Sequence, residues 1–329
     1  MDKVVEKCLS GIRFGDIQVF ENMGVIPLIL TQESGTVYIA VKEAFAAGTF
    51  KITEVSSGGS VPELKVINNG DLPVLILDGE ELAGAKQNRI LNTTVLIKPH
   101  WEGIIPVSCT EHGRWHFTSP DFKESGHLMA PKIRAKKIAA VCKSLNEQRS
   151  YRGNQGEVWD DIACLSEEAK AFSPTGAMKD IFDQKKKDIN EYLNAFNFIE
   201  GQNGLLVIIN CEVVGFDAVS LSSVYMVLHQ KLVMSYAIDA HLRHKKKQAK
   251  QPSIEMAKEF IELVKTCNEA RYESVGLGYD YRYEGNRIVG SSLVHEDKVV
   301  HAGFFTVEGH DAEDNFHRSY YHPRHTRRL

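Results

Sequence analysis

The six cysteines (Cys8, Cys109, Cys142, Cys164, Cys211 and Cys267) are scattered, with no Cys-x-x-Cys pair among them. Zinc sites and disulfide frameworks space their thiols more closely, so reduced thiols in a cytoplasmic protein are expected instead. Long apolar runs are missing as well; the apolar stretches are short and broken by charge, which excludes a membrane-spanning helix. The opening Met1-Asp-Lys-Val-Val-Glu-Lys7 lacks the apolar core of a signal peptide. There is no surplus of positive charge: 39 Lys and Arg stand against 43 Asp and Glu, and a net charge of -4 gives no general attraction to nucleic acid. His295 and His301 have no metal-ligand spacing to carboxylates, so neither a metal nor a cofactor is expected. No internal repeat or low-complexity block stands out. What is present is an ordinary globular balance, 43% hydrophobic and 25% charged, in a 329-residue chain long enough for one large domain or two of usual size.

Residues 12–120 read as short strands: Ile17–Phe20, Val25–Leu30, Val37–Val41, Lys51–Val55 and Leu64–Ile67, separated by Gly, Asn and Ser turns. Only Lys42–Ala47 looks helical in this half. The period then changes, and helices are expected over Pro131–Arg149, Glu157–Leu165, one long segment from Met178 to Phe196, Leu221–His244 and Ile254–Asn268. The fourth is apolar enough to be buried. Leu205–Ile209, Glu212–Val214 and Arg271–Phe305 return to strand. Strands, then helices, then strands predict an α+β fold: an antiparallel β-rich N-terminal half, central helices, and C-terminal strands packed with the buried helix. The expected division is a β-rich region 1–125 continuous with a mixed region 126–306, followed by a flexible tail 307–329.

Chemistry concentrates in Asp78-Gly-Glu-Glu-Leu-Ala-Gly-Ala-Lys-Gln-Asn-Arg-Ile90 and in Cys109-Thr-Glu-His-Gly-Arg-Trp115, each reached from an apolar run. If Val74–Leu77, Ile90–Ile97 and Ile104–Ser108 are successive antiparallel strands, the chain leaves one rim and returns to it, and the two clusters meet. An eight-residue strand spans about 27 Å, so the opposite topology would hold them far apart. One pocket would then receive Glu80, Glu81, Gln87, Asn88, Arg89, Glu111, Arg114 and Trp115. Arginine forks suit phosphate or carboxylate, amides read a ribose or base edge, and an indole offers a stacking face. A carboxylate can serve as general base, although neighbouring arginines lower its pKa. The same residues could instead pair charges at a sheet edge, cap turns, or form a subunit interface of a homo-oligomer.

Three other signals are weaker. Cys109 and Arg114 have four residues between them, against five in cysteine phosphatases, and Gly113 is one place late for a sulfurtransferase loop. Gly276-Leu-Gly278 lacks the third glycine of a dinucleotide fingerprint and reads as a turn. Lys245–Lys250 and the His- and Arg-bearing tail read as solvated basic segments.

The run Gly79–Arg89 followed by Ile105–Trp115 resembles the bacterial and archaeal domain family called ARG and rhodanese-phosphatase-associated protein. Gln155–Ile162, Ser173–Ala177, Gly215–Asp217 and Leu232–Ala240 match it more weakly, and the likeness covers residues 10–306. The resemblance implies association with ADP-ribosylglycohydrolases and rhodanese-like phosphatases, hence a place in NAD or ADP-ribose metabolism; it supplies no catalytic residues. Joined with the clustered charge, it leads to an expected enzyme acting on a phosphorylated ribose or nucleotide, with a small anionic ligand as partner. Glu111 is the expected general acid/base, with Glu80 second. Arg89 and Arg114 would hold phosphate, Gln87 and Asn88 would orient sugar or base, and Trp115 would stack. The alternative is a non-catalytic nucleotide-binding or partner-docking module.

Overall fold

The apolar run Gly204–Ile209 is buried on both faces in the computed structural model, which describes residues 1–31, 35–244 and 251–307. In chain order the first elements are α1 (Lys3–Ser10), β1 (Ile12–Phe14), β2 (Gln18–Phe20), β3 (Met23–Leu30), β4 (Ile39–Ala40), α2 (Val41–Ala46), β5 (Phe50–Glu54) and β6 (Glu63–Asn68). Then come β7 (Val74–Ile76), β8 (Glu80–Gly84), β9 (Arg89–Leu91), β10 (Val95–Ile97), β11 (Trp101–Cys109) and β12 (Phe122–Leu128). The helical middle is α3 (Pro131–Gln148), α4 (Gln155–Glu168), α5 (Met178–Gln184) and α6 (Lys186–Ala195). The remainder is β13 (Gly204–Ile209), β14 (Glu212–Val219), α7 (Ser222–Leu242), α8 (Ile254–Lys265), β15 (Asn268–Glu273), β16 (Tyr279–Gly285), β17 (Ile288–His295) and β18 (Lys298–Thr306). The fold is α+β.

A nine-stranded antiparallel sheet in the order β1-β3-β13-β14-β18-β17-β16-β15, with β2 added to β3, joins strands within residues 12–30 to strands within residues 204–306. Alternation along β13 explains its two apolar faces. Leu205, Val207 and Ile209 pack with α3–α7, whereas Leu206 and Ile208 pack with Val5 and Leu9 of α1 and with Ala257, Phe260 and Val264 of α8. Asn210 and Cys211, at φ 52 and 62, close β13 onto β14 in a two-residue turn. Helix α7 is buried along most of its length, as its apolar composition predicts. Among the described residues, no helix is long and apolar enough to cross a membrane.

The middle of the chain builds two smaller sheets, β10-β7-β4 and β12-β8-β9-β11-β6-β5, around a third core that includes Ile52, Val66, Ile76, Leu82, Leu91 and Val107. Two expectations need correction, and one helix was not foreseen. The run Ile90–Ile97 is not one strand: β9 pairs with β8 and β11, while β10 pairs with β7 in the other sheet. The crossing occurs at Asn92–Thr94, where Thr93 donates to Asp280 and the Thr94 hydroxyl meets both the Asp78 amide and His301 Nδ1 at 3.0 Å. Long-range hydrogen bonds thus override a locally continuous apolar pattern. The helix expected from Met178 to Phe196 is two helices that break at Lys185. Residues 3–10, to which no element was assigned, form α1, capped by the Asp2 carboxylate accepting from the Val4 amide at 2.8 Å. The expectations for Lys245–Lys250 and for the tail beyond Val307 lie outside the described residues.

Candidate functional site

The two charged segments meet, through β9 and β11 side by side rather than through an up-down-up path of three strands. Cys109 lies opposite Arg89, and Leu82 of β8 lies opposite Arg89 on its other side. Beyond the strand end, Thr110 donates its amide to Asn88 O at 3.0 Å, which fastens the 110–115 segment against the 84–88 turn.

Glu111 and Arg114 are locked together. Arg114 Nε donates to both Glu111 oxygens at 2.9 Å, and its NH2 reaches Glu111 Oε2 at 2.6 Å. The rest of the guanidinium donates to Ala85 O at 2.6 Å, His116 O and Thr118 Oγ1 at 3.1 Å, and Asn88 Oδ1 at 3.3 Å. Burial by itself would raise the Glu111 pKa. Hydrogen bonds from Arg114, Thr175 and the Asn88 amide outweigh burial and hold it below the ordinary value. Arg114 has its donors occupied by protein, so its place in the fold is that of a staple between two loops.

Arg89 is different. Its side chain is 0% exposed, yet only one terminal nitrogen is satisfied, donating to Gln87 O at 2.9 Å and more weakly to Gln87 Oε1 and Asn88 O. Its Nε and NH2 have no hydrogen-bond partner among the described residues, and the nearest carboxylate oxygen, Glu54 Oε1, stands at 3.7 Å. The Trp115 ring lies over this guanidinium, its centroid 5.6 Å away, and is itself 46% exposed. Lys86 sits 5.3 Å from the Trp115 centroid and 5.2 Å from that of Phe117, and donates to Gly58 O at 2.7 Å. Gln87 Nε2 points at His112 O, 3.5 Å away.

Neighbours on a strand face opposite ways, and β8 separates its two glutamates accordingly. Glu80 accepts from the Leu77 amide at 2.9 Å and pairs with Lys231 of α7 at 2.6 Å; Lys231 also holds Glu124. Among the described residues, neither a hydrogen bond nor an ion pair joins Glu80 to Arg89, Glu111 or Arg114. Glu81 accepts from the Thr110 hydroxyl at 2.8 Å, while its Oε2 is buried without a partner among the described residues. Burial lifts its pKa from 4.5 to about 7, against the hydrogen bonds of Thr110 and Ser125 and the charge of Lys179, while Glu111's charge adds to the rise. A carboxyl whose pKa is raised on folding stabilises the protein fully below its unfolded pKa, and that contribution is lost as pH rises through the folded one. From pH 5 to pH 8, wild-type protein is expected to lose about 2–3 kcal/mol more stability than Glu81→Gln, at about 1.4 kcal/mol per pH unit of pKa difference. Urea denaturation at the two pH values measures this, and parallel losses in both proteins would refute it.

Cys109 is buried beside Arg89, and burial pushes its thiol up to about 11 despite the nearby positive charge. Cys109 ends β11 and the next element is the strand β12, so the loop-to-helix arrangement of thiolate enzymes is not formed at this thiol. Among the described residues, no three or more His, Cys, Asp or Glu side chains converge as metal ligands do. A cavity of about 40 Å³ between Lys132, Asp239 and Arg287 shares no lining residue with the two segments.

Two participants escaped the reading of the sequence. Glu54 occupies the inward phase of β5 after Phe50 and Ile52, so strand alternation alone marks it as a buried acid. Lys231, a cation inside an apolar helix, carried a comparable signal.

No curated protein and no solved structure matches this chain. A match does exist at the level of domain families, from residue 11 to residue 305, and it takes in both charged segments and the strands that hold them. The chain belongs to the family of the ARG and Rhodanese-Phosphatase-superfamily-associated Protein domain.

Proposed function

We propose that the protein is an enzyme acting on a phosphorylated ribose or nucleotide compound, bound where Arg89 lies beneath Trp115. One observation carries this reading: a fully buried guanidinium with two unpaired donors under a half-exposed indole. Each buried donor left without an acceptor costs about 1–3 kcal/mol, and an anion receiving both removes that cost. The indole supplies a face for a base, and Gln87 and Asn88 border the same turn. The family name associates such domains with ARG and rhodanese-phosphatase proteins, which fits an ADP-ribose or NAD derivative as ligand. Glu111, ionised at neutral pH by its Arg114 contacts, is the carboxylate assigned to acid/base chemistry, ahead of the Lys231-bound Glu80.

A second reading, a non-catalytic nucleotide-sensing module, draws on the mutual saturation of Glu111 and Arg114, which leaves few groups for a reaction. Calorimetric titration with ADP-ribose, AMP and ribose 5-phosphate, paired with mass spectrometry of the incubated mixtures, separates the two. Arg89→Met is expected to weaken binding by 30–100-fold, or about 2–3 kcal/mol, the size of a lost charge-assisted contact. Arg89→Lys, keeping the charge without the fork, should fall between. A product that vanishes in Glu111→Gln establishes the enzyme, and binding without any product establishes the module. No binding by wild type to any of the three compounds overturns both.

A further inference from the structure

We infer that Glu54 determines the specificity of this site, accepting a hydroxyl or N–H of the same ligand whose anionic group Arg89 holds. The inference rests on the ligand site proposed above. Glu54 ends β5 with its side chain turned inward; Oε1 accepts from the Lys86 amide at 3.3 Å and stands 3.7 Å from Arg89 NH2. The second oxygen, Oε2, is buried and has no partner among the described residues. Unsatisfied donors on Arg89 and an unsatisfied acceptor on Glu54 therefore lie side by side.

Gly59 packs directly over them. Its φ of +76 suits a residue without a side chain, and a Cβ there would stand 3.1 Å from Lys86 Cδ, 3.3 Å from Glu54 Oε2 and 3.4 Å from the Trp115 ring. The orphan oxygen, the indole and the lysine stem thus converge on one point roofed by backbone alone.

An ionised carboxylate only accepts, so its complement must bring a donor. A fully ionised phosphate ester without a hydroxyl offers Arg89 its acceptors but gives Glu54 a second negative charge and no proton. A sugar phosphate offers both: oxygens for the guanidinium and a hydroxyl for the carboxylate. Arg89 and Lys86 against Glu54 leave one net positive charge, and Glu111 with Arg114 adds none, so the site as a whole favours an anionic ligand. The ligand is then a hydroxyl-bearing phosphate ester, and Glu54 is the group that rejects simple anions.

Two ligand pairs test this on the intact protein by calorimetric titration at about pH 8, where phosphate monoesters are dianions: ADP-ribose with a dimethyl ester of diphosphate esterified on both phosphorus atoms, and ribose 5-phosphate with methyl phosphate. Wild type is expected to favour the hydroxylated member of each pair at least tenfold. In Glu54→Gln the effects should have opposite signs, with the hydroxylated ligand weakened about tenfold and the simple anion bound more tightly. Glu54→Leu, which removes charge and acceptor together, should do the same and serves if the first variant does not fold. Equal weakening of both members in either variant would mean that Glu54 only props Arg89; this inference then fails while the ligand site stands. Binding of neither pair by wild type defeats the inference and the site together.

Discussion

Asp217→Asn is expected to lower the stability of the protein by about 3–5 kcal/mol, the cost of removing one partner from a buried ion pair. Asp217 of β14 receives both terminal nitrogens of Arg134 from α3, at 2.9 and 2.8 Å, in the two-pronged geometry that makes such pairs strong. Tyr236 of α7 donates to it at 2.9 Å, and His301 of β18 stands at 3.4 Å. Arg134 is itself fully buried against the Phe305 ring, 4.6 Å away, with Asp78 Oδ2 at 3.7 Å. An amide at 217 would leave that guanidinium dependent on an aspartate already bonded to Lys137. Urea denaturation at pH 7 with an unchanged m-value measures the loss, and a change below about 1 kcal/mol would show the pair to be dispensable. The acid side carries the same information. Burial alone would raise the pKa of Asp217, but the charge of Arg134 and hydrogen bonds from His301 and Arg134 bring it well below the ordinary value. A depressed carboxyl contributes stability above its unfolded pKa and loses it as pH falls, so the gap between wild type and Asp217→Asn should narrow below about pH 4.

The second large effect is expected at Lys231. Its ammonium, buried in α7, is the shared partner of Glu80 and Glu124, which arrive from two adjacent strands. Lys231→Met keeps the helix and its packing volume but abandons two carboxylates at one position, and a loss of about 3–5 kcal/mol should follow. If charge rather than packing is responsible, Lys231→Met with Glu80→Gln will be more stable than Lys231→Met alone, by at least about 1 kcal/mol. A double variant no better than the single one would sink this account and return the effect to lost side-chain packing.

Much of the scaffold was visible locally. Helix α3 begins at a proline in its first turn, carries Ile133, Ile138, Val141, Cys142 and Leu145 inward, and matches its expected range within a residue. Helix α7 announced its burial by being apolar all round. Other features were legible and passed over: the Asp2 cap with Val5, Cys8 and Leu9 on one face of α1, and the inward phase of Glu54. The split of β9 from β10 was of another kind. Asn92-Thr-Thr94 could be read as three tolerable residues in a strand, and its bonds to Asp280 and His301 reach across 187 and 207 positions of sequence.

The same division runs through the charged segments. Sequence alone determined the α+β class, the helix faces, and the concentration of acids, amides and arginines at residues 78–89 and 109–115, because period and turn chemistry act over a few residues. Tertiary structure decided which of those charges are satisfied. Arg114 turns back onto Glu111 three residues away, Glu80 is taken by Lys231 from 151 residues away, and Arg89 keeps donors without a partner among the described residues, beside Glu54 and Trp115. Burial sets the worth of each charge, and burial is a property of the assembled sheets and helices rather than of any short stretch of chain.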